Sequence, residues 1–217
     1  MVTSGLLAIA VAMALSSVPI TATLVILLSP RRRQSSVPFL TGWVLTIAVV
    51  ALAAAGGALA LPGSRRERLQ FAAVTEIVVG AALVVGAIVT LRRSRTRAPK
   101  PNRRWEALGS SGPAASFGVA LLMGVRPKAL LLGIAAGLAL GTQPLRSTGT
   151  ALAFALYVVV SASSVAVPIV GTLLAPGAME PRLLVWRDWL SRNGIVVAAW
   201  VVMVIGLALV VAGWSEV

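Results

Sequence analysis

A chain of 217 residues with 58% hydrophobic residues, 12% charged residues and a mean hydropathy of +0.95 lies far outside soluble composition and reads as an integral membrane protein. It has no cysteine or histidine and only six acids, which excludes disulfides, thiol relays, imidazole chemistry and a carboxylate metal cage. Its formal charge of +13 sits mostly in short loops between apolar runs, the distribution of topology signals, so no nucleic acid is expected as a partner.

Runs of about 20 apolar residues mark bilayer crossings. Six are read, over residues 5–29, 38–61, 70–91, 113–140, 148–174 and 194–214. No Lys or Arg precedes the first run, and Arg31, Arg32 and Arg33 follow it. That order reverses the polarity of a cleavable signal, so the run is expected to be a retained helix. It is interrupted at Ser16-Ser17-Val18-Pro19. Proline lacks an amide hydrogen and clashes with the preceding turn, leaving backbone groups unpaired at bilayer depth. Such groups are tolerated only in a cavity wall or buried in protein. Ser17 and Thr21 lie one turn apart beside the break and are candidates to line a path with Pro19.

Gly56-Gly57 in the second run, and Gly80 with Gly86 in the third, read as close helix contacts. Glu76 is the one acid placed inside a span. It is a candidate countercharge or proton carrier, because burial raises a carboxylate's pKa; the alternative is a headgroup-level carboxylate near Arg68. If Glu76 carries a proton, Glu76→Gln alters the pH dependence of activity, and an unchanged pH profile assigns Glu76 a structural role. Residues 92–112, rich in Arg, Pro, Ser and Gly, read as a basic cytoplasmic linker between a first repeat at 1–91 and a second at 113–217.

The fourth run is too long for one straight crossing. About 28 residues at 1.5 Å rise reach roughly 42 Å, against a hydrocarbon core of about 30 Å. A break at Gly124-Val125-Arg126-Pro127 resolves the excess, and Pro127 lies half a chain length beyond Pro19. Interrupted segments at matching places in two halves point to a transport site. Arg126 and Lys128 flank the second break, and burying either in lipid costs at least about 2.5 to 3.5 kcal/mol. They are expected to face a partner or a watery cavity that favours an anionic ligand, helped by the positive end of the helix after Pro127. The alternative is snorkelling to the cytoplasmic interface.

In the fifth run Tyr157, Ser161, Ser164 and Pro168 recur at i, i+4, i+7 and i+11, one helical face. They line a path or bond to backbone carbonyls. Before the last run Leu183, Trp186 and Leu190 share a face with Trp189 alongside, the pattern of an interfacial helix near 182–192.

Of the 19 basic residues, 13 fall in the first, third and fifth loops and four in the second and fourth. By the positive-inside rule the odd loops are cytoplasmic and both termini face outward. Each half then carries three helices, an odd number, so the two repeats insert upside down relative to each other.

Four segments carry a family resemblance: Ser-Val-Pro-Ile at 17–20 with Leu-Leu-Ser-Pro-Arg at 27–31, Phe-Leu-Thr-Gly-Trp at 39–43, Arg-Pro-Lys-Ala-Leu-Leu-Leu at 126–132, and Trp-Leu-Ser-Arg-Asn at 189–193. Together they span most of the chain, which resembles the glycolipid-addressing proteins, the GAP or Sap group within the LysE exporter superfamily. The resemblance implies an all-α inner-membrane exporter of six transmembrane helices as two inverted three-helix repeats, dimeric, with members tied to outward movement of envelope glycolipids. Arg126 departs from the superfamily's Asn-Pro-Lys pattern at this place.

The leading expectation is therefore a transporter moving an anionic lipid, glycolipid or lipid-linked precursor toward the outer face, with a larger envelope-lipid export machinery as a possible partner. Export of a small amino acid or organic cation is one alternative, and a non-transporting scaffold for a lipid exporter or glycosyltransferase is another. No nucleophile is paired with a base, so neither an enzyme activity nor a cofactor is expected.

Overall fold

A computed structural model describes residues 2–60, 65–94, 112–141 and 147–214. Among them there are helices and no strands. In chain order these are α1 (Val2–Ala14), α2 (Ser17–Leu27), α3 (Arg32–Ala60), α4 (Arg65–Ser94), α5 (Pro113–Gly124), α6 (Pro127–Gly141), α7 (Thr148–Leu174) and α8 (Pro176–Trp214). Residues 95–111, most of the expected linker, lie outside the described residues, as does the side chain of Glu76.

Three stretches, Arg32–Gly57, Thr148–Leu174 and Arg192–Val211, are each long and apolar enough to cross a bilayer. Two bent pairs raise the number to five if each pair is one crossing. The sixth expected crossing is represented in α4 by Ile77–Arg92, about 24 Å of helix, which falls short of a core of about 30 Å. Among the described residues the structure thus supplies three to five candidate crossings where six are expected. Large apolar side chains point outward as well as inward; Leu122 is 72% exposed and Leu152 65%, a surface that suits lipid and not water.

Both proline breaks bend their helices, by 41° between α1 and α2 and by 69° between α5 and α6. In each case the proline occupies the first turn of the new helix, where an amide hydrogen has no intrahelical acceptor in any case. The broken ends close tightly, with Leu15 N–H donating to Val11 C=O at 2.9 Å and Ser16 N–H to Met13 C=O at 3.2 Å. Proline alone does not dictate a break: Pro38, Pro168 and Pro181 lie inside α3, α7 and α8 without ending them. At Pro168 the carbonyl accepts from Thr172 Oγ1 at 2.6 Å.

α8 is continuous over 39 residues, about 58 Å, nearly twice a hydrocarbon core. The stretch 182–192 is therefore the leading part of the same helix as the last crossing, with no break before Arg192. Leu183 is buried, while Trp186 and Trp189 are half exposed.

Small residues set the helix spacing. On α3, Gly42 lies so near α5 that a β-carbon there would sit 2.8 Å from the Phe117 carbonyl oxygen. Gly124 abuts Thr46, Gly133 abuts Val50, and Gly137 abuts Ala51 and Ala54, so α3 rides on α5 and α6. α4 and α8 cross at Gly80 and Gly206, where a β-carbon on either would meet the other's carbonyl oxygen at 2.6 and 2.7 Å. Gly80 is thus a close contact, whereas Gly56, Gly57 and Gly86 are not: a β-carbon on any of these would meet nothing within 4 Å. Gly56 and Gly57 point into open space on an exposed stretch, and Gly86 faces a cavity.

Candidate functional site

The two proline breaks contribute to one cavity of about 520 Å³. Ser17, the first residue of α2, and Lys128, the second residue of α6, both line it. α4 adds Leu83, Gly86 and Thr90, and α8 adds Ala199 and Val202. The cavity thus lies where two helices restart and α4 and α8 pass beside them. First-turn amides of a helix lack intrahelical acceptors, and the helix dipole places partial positive charge there.

Lys128 is the one ionisable residue among those lining the cavity. It is partly buried, and its wall is otherwise mostly aliphatic. Thr90 Oγ1 donates to the Gly86 carbonyl at 2.7 Å, so its remaining capacity is as an acceptor. A single ammonium in an apolar chamber, with a hydroxyl and two helix starts nearby, selects an anion over a neutral or cationic group. Pro127 opens α6 but is exposed, and Arg126 is exposed and outside the cavity wall. The structure therefore separates the two cations that the sequence places together.

The other candidates fall elsewhere. Pro19 is buried in the first turn of α2, where its carbonyl accepts from Thr23 Oγ1 at 2.8 Å. Thr21 Oγ1 is taken up by the Ser17 carbonyl at 2.7 Å. Tyr157 and Ser161 are buried in α7, with Ser161 one turn from the phenol as its neighbour, although neither hydroxyl completes a hydrogen bond of good geometry. Tyr157 packs by Leu6, Ala10 and Ala153 instead of opening to Lys128. Ser164 and Pro168 line a different groove, against α2 and the leading part of α8. Thr90 and the α8 alanines carry no sequence reading and Gly86 only that of a helix contact; the one signal for a shared wall is the glycine and threonine one turn apart near the C-terminal end of α4.

A family model described as Sap, sulfolipid-1-addressing protein, matches residues 6–215, nearly the whole chain. The chain belongs to this family. Neither the curated proteins nor the solved structures yield a match. Membership of the Sap family, together with the apolar helices, makes this a membrane protein associated with lipid addressing or export.

Proposed function

We propose that this Sap-family protein is an inner-membrane transporter that moves an anionic lipid, glycolipid or lipid-linked precursor from the cytoplasmic leaflet toward the outer face. The observation that carries this reading is Lys128 in a cavity built from both helix breaks. A chamber of about 520 Å³ is in the range that encloses a drug-sized ligand, so it suits a headgroup whose chains remain in the apolar surroundings.

An inverted duplication, with kinship to the LysE exporters and a dimeric state, belongs to the same reading. Helix packing supports the duplication, since α3 lies on α5 and α6 as α7 lies on α1 and α2. The Gly80 and Gly206 contact is reciprocal, as an exchange of α4 with α8 requires.

The test is movement of a fluorescent anionic lipid across vesicles containing this protein alone, with a zwitterionic lipid of the same chains as reference. The reading expects faster movement of the anionic lipid and little change for the reference. No movement of either would leave a scaffold role in its place. Within that assay Arg126→Ala is expected to retain most of the rate, because its side chain is exposed and outside the cavity wall. A loss as deep as that of Lys128 variants would place Arg126 in the headgroup site after all.

A further inference from the structure

A groove of about 630 Å³ lies between α2, α7 and the leading part of α8. Ile20 and Leu24 form one side, Ser164, Val167 and Pro168 the second, and Trp186, Trp189 and Leu190 the third. It is apolar but for its serines, and Ser164 Oγ has no protein partner although it is buried. Two half-exposed tryptophans are side chains that suit a membrane–water interface, with an apolar body and a polar tip.

The surroundings are cationic. The same part of α8 carries exposed Arg182, Arg187 and Arg192. An ion pair of 3.0 Å between Arg32 and Glu180 ties it to the arginine triplet at the start of α3. These two segments carry six arginines and two carboxylates, Glu180 and Asp188, and Asp188 lies 3.7 Å from Arg187. Such a balance complements an anionic headgroup at the cytoplasmic surface.

The groove and the Lys128 cavity share no lining residue, but both are built on α2 and α8. On α2, Leu24 and Ile20 line the groove and Ser17 lines the cavity, at i, i−4 and i−7 on one face. On α8, Trp186 and Leu190 line the groove and Ala198 and Val202 the cavity, in a single i, i+4 row. The one member of that row between them is Gly194, which is buried. A β-carbon there would come within 3.0 Å of the Leu190 side chain. Along α2 the two stations are about 10 Å apart.

Resting on the transport reading, we infer that groove and cavity are successive stations of one lipid route. An alkyl chain of an anionic lipid from the cytoplasmic leaflet seats between Trp186, Trp189 and Val167. Its headgroup, held first by the arginines of α8, passes along the α2–α8 seam over Gly194 to Lys128. With no side chain at Gly194, Leu190 lies back against it, and a larger residue there would push Leu190 into the seam.

The probes are two phosphatidylglycerols in phosphatidylcholine vesicles, one with a diazirine in the acyl chain and one with a diazirine next to the glycerol. The route expects the chain probe to label residues 185–190, and the headgroup probe to label both that stretch and the walls near Lys128 and Ala198. A phosphatidylcholine chain probe should label 185–190 at least severalfold less. Gly194→Leu should keep the groove labelling, which reports an intact fold, while lowering anionic lipid movement at least tenfold and removing headgroup labelling at Lys128. Equal labelling by both lipid classes would overturn the route, as would absence of label at 185–190. If the wild-type protein moves anionic lipid and Gly194→Leu moves it equally fast, the route is overturned and the transport reading stands. If the wild type moves none and label stays confined to the groove, both fall.

Discussion

Lys128→Ala is expected to reduce movement of an anionic lipid roughly ten- to a hundredfold while leaving the amount of protein in the membrane unchanged or higher. The magnitude follows from a charged hydrogen-bonding partner, worth about 1.5 to 3 kcal/mol, at the cavity's one ionisable lining residue. The second half of the expectation separates function from folding. A lysine at bilayer depth costs about 2.5 to 3.5 kcal/mol on insertion scales, so its removal relieves the membrane-inserted state and does not burden it. Lys128→Arg should keep part of the rate, because the charge remains while the fork of the guanidinium must fit a wall shaped for a compact ammonium. Lys128→Glu should fall below the alanine variant, since a carboxylate repels the same headgroup. Rates in vesicles, normalised to inserted protein, check the series. An alanine variant that transports normally would remove the headgroup site.

The helix crossing at Gly80 and Gly206 makes the second large expectation. A β-carbon on either residue would lie 2.6 to 2.7 Å from a backbone oxygen, and the remaining neighbours are Val84 and Val210, so no flexible side chain can yield. The helices must part. Gly80→Ala and Gly206→Ala are each expected to destabilise the protein by about 1 to 3 kcal/mol, the usual cost of overpacking. Once one substitution has separated α4 from α8, the second has less to disturb. The double variant should therefore cost less than the sum of the two, by about 0.5 kcal/mol or more. Unfolding in detergent, followed by helical signal, measures all three. Strict additivity would mean that the two glycines do not meet. The cavity lies along the same two helices, so these variants should also widen or reshape the wall at Leu83, Gly86 and Val202.

Much of the helical architecture was legible because lipid imposes a simple rule: each apolar run must satisfy its own backbone as helix. The break before Lys128 was legible for a related reason, since the fourth run is too long to cross straight and carries Pro127 beside two cations. What stayed hidden is which polar groups share a space. Arg126 and Lys128 are two positions apart, but the bend of 69° leaves one exposed and aims the other into the cavity. The face Tyr157, Ser161, Ser164 and Pro168 is real, but packing divides it between a small pocket by Leu6 and the tryptophan groove. Gly80 and Gly86 look alike in a sequence; only the approach of Gly206 makes one a contact and leaves the other lining a chamber.

The sequence by itself determined membrane class, helical content, the break in the overlong fourth run and the family, because these follow from local hydropathy, run length and residue order. Tertiary structure alone decided that Ser17 and Lys128 meet in one cavity, that Arg126 stays outside it, and that a second groove is lined by other residues of α2 and α8. The reason is that a helix fixes only the direction of each side chain about its own axis. What that direction meets depends on helices distant in the chain, brought together by backbone approach at glycines that carry no chemistry of their own.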